Sequence, residues 1–207
     1  MITRPAIQQV LFGDPIPPTW TGSDDWETPG WLAKAMAGLA HGRTLEMAAG
    51  TGQIAQFLPG STCIEINPAR VAVGRSRAPE CDWVCGSALD PFVQGQVGRF
   101  DTIITNPPFS LGVDFIKATA ALLIPGGVAY FLLPSTFLQT KGCGGAFRRL
   151  AATHQLHLVG KTELVGRPAY LMDGVEVSGR KCDDAIFAIA YQPDPAFRFE
   201  FGFLFNE

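Results

Sequence analysis

Apolar residues fall into short runs that alternate with stretches of helical period. Strand-like runs occupy residues 44–48, 62–66, 82–85, 100–105, 128–133, 156–159 and 185–191. Helical stretches lie near 53–58, 68–75, 113–123 and 146–152. The run at 128–133 is apolar without a break, which suits a strand covered on both faces. Strands alternating with short helices predict βαβ units around a mostly parallel sheet. A further helix is predicted ahead of the first strand. Thr28 is a good N-cap, Pro29 suits the first turn, Trp31, Leu32, Ala35, Met36 and Leu39 follow, and Gly42 ends it. Asn67-Pro68 repeats that start. Gly142, Gly144 and Gly145 predict a break rather than a helix, a flexible lid or a bland linker beside Arg148 and Arg149.

Both ends stand outside this pattern. Residues 1–27 are rich in Pro, Gly and Asp and read as an extended arm, with 28–207 as one folded domain. Phe197, Phe199, Phe201, Phe203 and Phe205 alternate strictly, so their period places them on one face of a strand. That strand either packs on the domain's own core or meets a second copy or a partner subunit.

Composition narrows the class. The chain has 207 residues, 47% hydrophobic and 17% charged, which excludes a disordered chain. Its 16 basic and 19 acidic side chains give a net charge of −3, which excludes sequence-blind binding of polyanions by the whole surface. Weak affinity for DNA alone is therefore expected. The most apolar stretch, 118–133, is broken by Pro125-Gly126-Gly127, short of the roughly 20 residues that span a membrane. No secretory pattern opens the chain, and five cysteines at irregular spacing read as reduced thiols. A cytoplasmic protein with no metal site is the expectation.

Two segments carry chemistry. Glu46-Met47-Ala48-Ala49-Gly50-Thr51-Gly52 joins an apolar strand to a helix, and its glycines let backbone approach a ligand. Gly50-x-Gly52-x-x-Ala55, with Glu65 ending the next strand to grip ribose hydroxyls, also fits a dinucleotide fingerprint. The second segment is an apolar strand running into Asn106-Pro107-Pro108-Phe109. Two prolines forbid helix and fix a stiff loop whose carbonyls remain as acceptors. Asn106 adds a side-chain oxygen, and an aromatic ring stands next to it. Rigid acceptors beside a ring suit a planar amino group.

These segments resemble two motifs of the class I S-adenosylmethionine-dependent methyltransferases, in particular the N6-adenine DNA enzymes. An acid ahead of the glycines, here Glu46, is what separates that resemblance from a nicotinamide-binding strand. The resemblance implies a Rossmann-like α/β fold with a seven-stranded, mostly parallel sheet, helices on both faces and a reversed final strand. It implies S-adenosyl-L-methionine as cofactor, held by Thr28, Pro29, Glu46, Met47, Ala48, Gly50, Gly52, Glu65, Ile66, Ser87, Ala88 and Asn106. It implies Asn106 and Pro107 as acceptors from an adenine amino group, Pro108 as part of the same loop, and Phe109 as the ring stacked on a flipped base. Ser87 stands where many relatives carry Asp, with Asp90 as a substitute acceptor. A separate target-recognition domain is not expected. Arg167, Arg180 and Lys181, in a loop or hairpin over 160–184, are the expected contacts to a nucleic-acid backbone.

The same Asn-Pro-Pro-aromatic loop would serve RNA adenine or guanine amino groups, or a protein glutamine amide. A non-catalytic methyltransferase-like subunit is the reading of another class. Gln8-Gln9-Val10-Leu11-Phe12 resembles the peptide that bacterial replication and repair proteins dock into the sliding clamp, which implies the clamp as a partner.

Overall fold

The structure, a computed structural model, describes residues 26–166, 168–172, 175–176, 183–194 and 200–205. The clamp-like peptide Gln8–Phe12, the cations Arg167, Arg180 and Lys181, and the rings Phe197 and Phe199 lie outside the described residues.

The strands are β1 (Thr44–Glu46), β2 (Thr62–Glu65), β3 (Asp82–Cys85), β4 (Phe100–Thr105), β5 (Leu123–Pro134), β6 (Leu156–Val165), β7 (Leu171–Met172), β8 (Val175–Glu176), β9 (Asp184–Tyr191) and β10 (Glu200–Phe205). Eight of them form one sheet in the order β10-β6-β9-β5-β4-β1-β2-β3. Strand β9 runs antiparallel to β5 and β6, and the remaining neighbours are parallel. The expected seven strands, the reversed one among them, are all present. β10 adds an eighth at the edge, parallel to β6. Its Leu204 packs against the cluster that holds Leu164 and Ile186, so this edge strand shares the domain's core. β7 and β8 form a two-stranded hairpin within the 160–184 segment.

The helices are α1 (Gly30–Ala37), α2 (Pro68–Arg77), α3 (Pro91–Val97), α4 (Gly112–Leu122) and α5 (Lys141–His154). One face of the sheet packs Val93, Phe115, Ile116 and Phe147 from α3, α4 and α5 against Ile103 and Phe131. On the other, Leu32, Ala33 and Met36 of α1 meet Ile104, Leu132 and Ile186. No helix among the described residues is long and apolar enough to cross a membrane.

Four expectations need correction. Thr28 does not cap α1; the helix starts at Gly30 with no side-chain cap, and the Thr28 hydroxyl is used elsewhere. The stretch at 53–58 is only a 3₁₀ turn, Ala55–Phe57, because Pro59 and Gly60, the latter at φ +77°, stop it at once. The glycines after residue 140 do not break a helix but sit inside α5. Thr140 caps it by accepting from the Cys143 amide, and Gly144 leaves room for the Leu138 carbonyl, which a Cβ would approach to 2.1 Å. Helix α3 was not expected, although Asp90-Pro91 is the same cap-and-proline start that marks α2, with the Asp90 carboxylate accepting from the Phe92 amide at 2.9 Å.

Gly74 of α2 lies flat on the Trp83 ring, where a Cβ would come within 2.1 Å of the indole. The ring is pinned, because its Nε1 donates to the Ala78 carbonyl at 3.1 Å. Alanine gains about 1 kcal/mol of helix propensity over glycine, but overpacking a pinned ring costs about 1–3 kcal/mol or more. Gly74→Ala is therefore expected to lower the denaturant midpoint at unchanged m-value; an unchanged or raised midpoint would contradict this packing.

Candidate functional site

The chain passes from β1 outward to β2 and β3 on one side, and to β4 and β5 on the other. The order reverses between β1 and β4, and ligands of open α/β sheets bind at the carboxyl ends of the strands at that point. Four neighbouring strand ends deliver Glu46, Glu65, Ser87 and Asn106 to one cleft of roughly 920 Å³, open mouth included.

Glu46 ends β1 and is 1% exposed. Its Oε2 is buried with no hydrogen-bond partner. Burial holds its pKa well above the usual carboxylate range, the Cys81 sulfur and the Glu65 carboxylate add to this, and the Ala55 amide opposes it. An uncompensated buried acid at the floor of a cleft is ready for a cationic group.

Glu65 is positioned differently. Its Oε2 accepts from the Gly50 amide and its Oε1 from the Asn67 amide, each at 2.8 Å. The pair fixes the plane of the carboxylate, and each oxygen keeps a lone pair for a diol. Gly50 (φ +55°) has open space where its Cβ would be, as a backbone approached by a ligand requires. Gly52 (φ +83°) faces away, against Gly74 and Trp83, and does not line the cleft. It is a packing glycine. Ile66, 56% exposed after β2, offers an apolar surface to a flat ring.

Ser87 and Ala88 line the far end. The Ser87 Oγ accepts from the Leu89 amide at 3.2 Å, so a neutral, partly used hydroxyl is what this end presents. Asp90 is no substitute, because its carboxylate caps α3 and it does not line the cleft.

Asn106 follows β4. Its Nδ2 donates to the Thr28 hydroxyl at 3.0 Å and to the Trp26 carbonyl at 3.4 Å. Pro108 lines the cleft with Asn106, whereas Pro107 is buried behind it and Phe109 begins a 3₁₀ turn and packs on the core. Met47, Ala48 and Thr28 also line the cleft, and Pro29 does not.

Sequence reasoning missed how residues 26–28 work. They form a strap that lines the cleft. The Glu27 backbone exchanges two hydrogen bonds with Leu171 of β7, at 2.8 and 3.1 Å. Its carboxylate accepts from the Thr51 hydroxyl and from the Gln53 amide. Trp26 meets Tyr170 edge to face at 6.4 Å. Arg70 of α2 also lines the cleft, as does Phe115 of α4. Contacts between residues so far apart in the chain leave no periodic signal.

No family model and no curated protein matches the sequence. Solved structures do. A Listeria monocytogenes protein assigned to the class I S-adenosylmethionine-dependent methyltransferases matches with TM-score 0.65 at 13% identity, over 88% of this chain and 67% of that one. A Pyrococcus horikoshii protein assigned as an RNA methyltransferase matches with TM-score 0.57 at 14% identity, over 78% and 80%. The type I restriction enzyme EcoKI M protein matches with TM-score 0.61 at 14% identity, over 80% of this chain but only 44% of that one. Structural similarity at such low identity shows the architecture alone. The chain has the fold of the class I S-adenosylmethionine-dependent methyltransferases.

Proposed function

We propose that the protein is an S-adenosylmethionine-dependent methyltransferase acting on an exocyclic amino nitrogen, with adenine N6 in DNA as the first substrate to test. The observation that carries this is the Asn106 amide at the cleft edge, whose nitrogen side is occupied by Thr28 and Trp26 and whose oxygen is left to accept. S-adenosylmethionine supplies an electrophilic methyl group on sulfur. The residues present fit it: the orphaned Glu46 oxygen for the ammonium of its amino-acid end, the pinned Glu65 carboxylate for its ribose hydroxyls, and Ile66 for its purine.

Asn106 Oδ1 would accept from an amino group of the substrate and turn its lone pair toward the methyl; in the enzymes that the loop resembles the carbonyl of the first proline, here the buried Pro107, is the second acceptor. Bound there, S-adenosylmethionine would supply the methyl to that lone pair with S-adenosylhomocysteine as product, and the nitrogen's proton would pass to water. No general base is required before attack. The resemblance of the Asn-Pro-Pro-Phe loop to the N6-adenine enzymes favours DNA, and the P. horikoshii neighbour keeps RNA as the second reading.

The test is incubation with tritiated S-adenosylmethionine and separate DNA, RNA and protein pools, followed by nucleoside and amino-acid analysis. Label in N6-methyladenine from the DNA pool is the expected result. Label only in RNA or protein would move the substrate, and label in none, with no binding of S-adenosylhomocysteine, would end the proposal.

A further inference from the structure

We infer that Thr28 is a positioning residue for Asn106, and that the strap carrying it decides whether the cleft presents an acceptor or a donor to the substrate. The inference rests on the methyltransferase reading for its consequence, but not for its geometry.

A primary amide is symmetric in shape and opposite in polarity at its two ends, so its orientation is set by what surrounds it. Asn106 has two neighbours on the strap side. The Trp26 backbone carbonyl carries no hydrogen and can only accept. The Thr28 hydroxyl accepts or donates, and at 3.0 Å it is the shorter of the two contacts. With nitrogen toward the strap, both N–H groups find acceptors. With the amide turned over, Oδ1 would face a carbonyl oxygen at about the same distance, and two lone pairs would meet in a half-buried site.

The strap is itself held on both sides. Glu27, between the two partners, is bonded through its backbone to Leu171 and through its carboxylate to Thr51 and Gln53. Thr28 is 3% exposed, so water does not readily replace its hydroxyl. The Thr28 side chain neither caps α1 nor needs to touch the cofactor for this role.

The consequence concerns substrate class. Oδ1 toward the cleft accepts from an amino group, which has hydrogens to give. Nδ2 toward the cleft would instead repel that group and favour an oxygen acceptor. The same strand end on this fold is thereby committed to amino nitrogen by two strap residues together, the Trp26 carbonyl 80 positions earlier setting the polarity and the Thr28 hydroxyl 78 positions earlier holding it.

Asparagine-selective ¹⁵N labelling reads the amide directly, because the chain holds only Asn67, Asn106 and Asn206. Asn106→Ala identifies the pair of signals that belongs to Asn106. In the full-length protein Thr28→Val should speed hydrogen exchange of that pair about tenfold and shift its resonances, while Thr28→Ser keeps both. In parallel, with tritiated S-adenosylmethionine and unmethylated genomic DNA, Thr28→Val should lower kcat about tenfold or more. S-adenosylhomocysteine affinity should stay within about twofold, and Thr28→Ser should restore the rate. Unmoved exchange in Thr28→Val overturns the inference. So does a loss of cofactor affinity matching the loss of rate, or a Thr28→Ser variant as poor as valine. If the wild-type protein methylates no pool and binds no S-adenosylhomocysteine, the function proposal fails by itself, and the exchange measurement alone decides the role of Thr28.

Discussion

Replacing Asn106 with alanine is expected to cut methyl transfer by about 10²–10³-fold while S-adenosylhomocysteine affinity stays within about threefold. The size follows from the kind of interaction removed. A preorganised acceptor aimed at charge that develops on the nitrogen acts mainly in the transition state, so its loss falls on kcat. Here preorganisation is visible, because Trp26 and Thr28 already hold the amide nitrogen before any substrate arrives. Asn106→Asp should be no better than alanine. Its carboxylate would give neither the Trp26 carbonyl nor the Thr28 hydroxyl a hydrogen, and would face the carbonyl with a like partial charge. The measurement is single-turnover methylation beside calorimetric titration with S-adenosylhomocysteine. Activity within about tenfold of wild type would remove Asn106 from the reaction.

The second large effect belongs to Glu46. Glu46→Gln should weaken S-adenosylhomocysteine binding by about 100-fold, because on the proposed reading the ammonium of its amino-acid end would lose the buried carboxylate whose Oε2 has no protein partner. A desamino analogue should bind wild type and variant alike. The raised pKa of Glu46 gives the prediction a pH signature. A cationic ligand needs the ionised acid, so binding to wild type expels a proton and tightens as pH rises toward and through the folded-state pKa. Binding to Glu46→Gln should lack that dependence. Stability runs the other way. The folded pKa lies above the unfolded value of about 4.3, so the contribution of Glu46 to folding is complete below that value and is lost as pH rises through the folded pKa. Ligand-free Glu46→Gln should therefore melt no lower than wild type at neutral and mildly alkaline pH. Equal affinity of wild type and variant for S-adenosylhomocysteine would place the amino-acid end elsewhere.

Much of this fold is legible in the sequence because a parallel sheet covered on both faces writes itself as uninterrupted apolar runs. Ile103 and Ile104, adjacent on β4, pack in opposite layers and are both fully buried. The Asn67 cap is equally local, its side chain accepting from the Ala69 amide at 2.9 Å. The acids and the asparagine at the strand ends were visible because each follows such a run. What failed had physical causes beyond the local window. Gly144 reads as a helix breaker by propensity, yet the Leu138 carbonyl leaves it no room for a Cβ. Gly52 reads as a ligand glycine by spacing, yet a tryptophan from β3 occupies its open side. Thr28 reads as a cap, yet a side chain from β4's end claims its hydroxyl.

The bridge between Glu27 and Leu171 sets an order of events during synthesis. The ribosome delivers the strap first, the glycine loop and Asn106 next, and the strand that ties the strap down only after β6. A nascent chain that has already paired β1, β2, β4 and β5 still lacks the backbone partner of Glu27, and the outer partners of Asn106 are not yet fastened. The parallel strands β1 to β5 are thus in hand before this tie forms, while β9 and β10, which complete the sheet, are delivered after it.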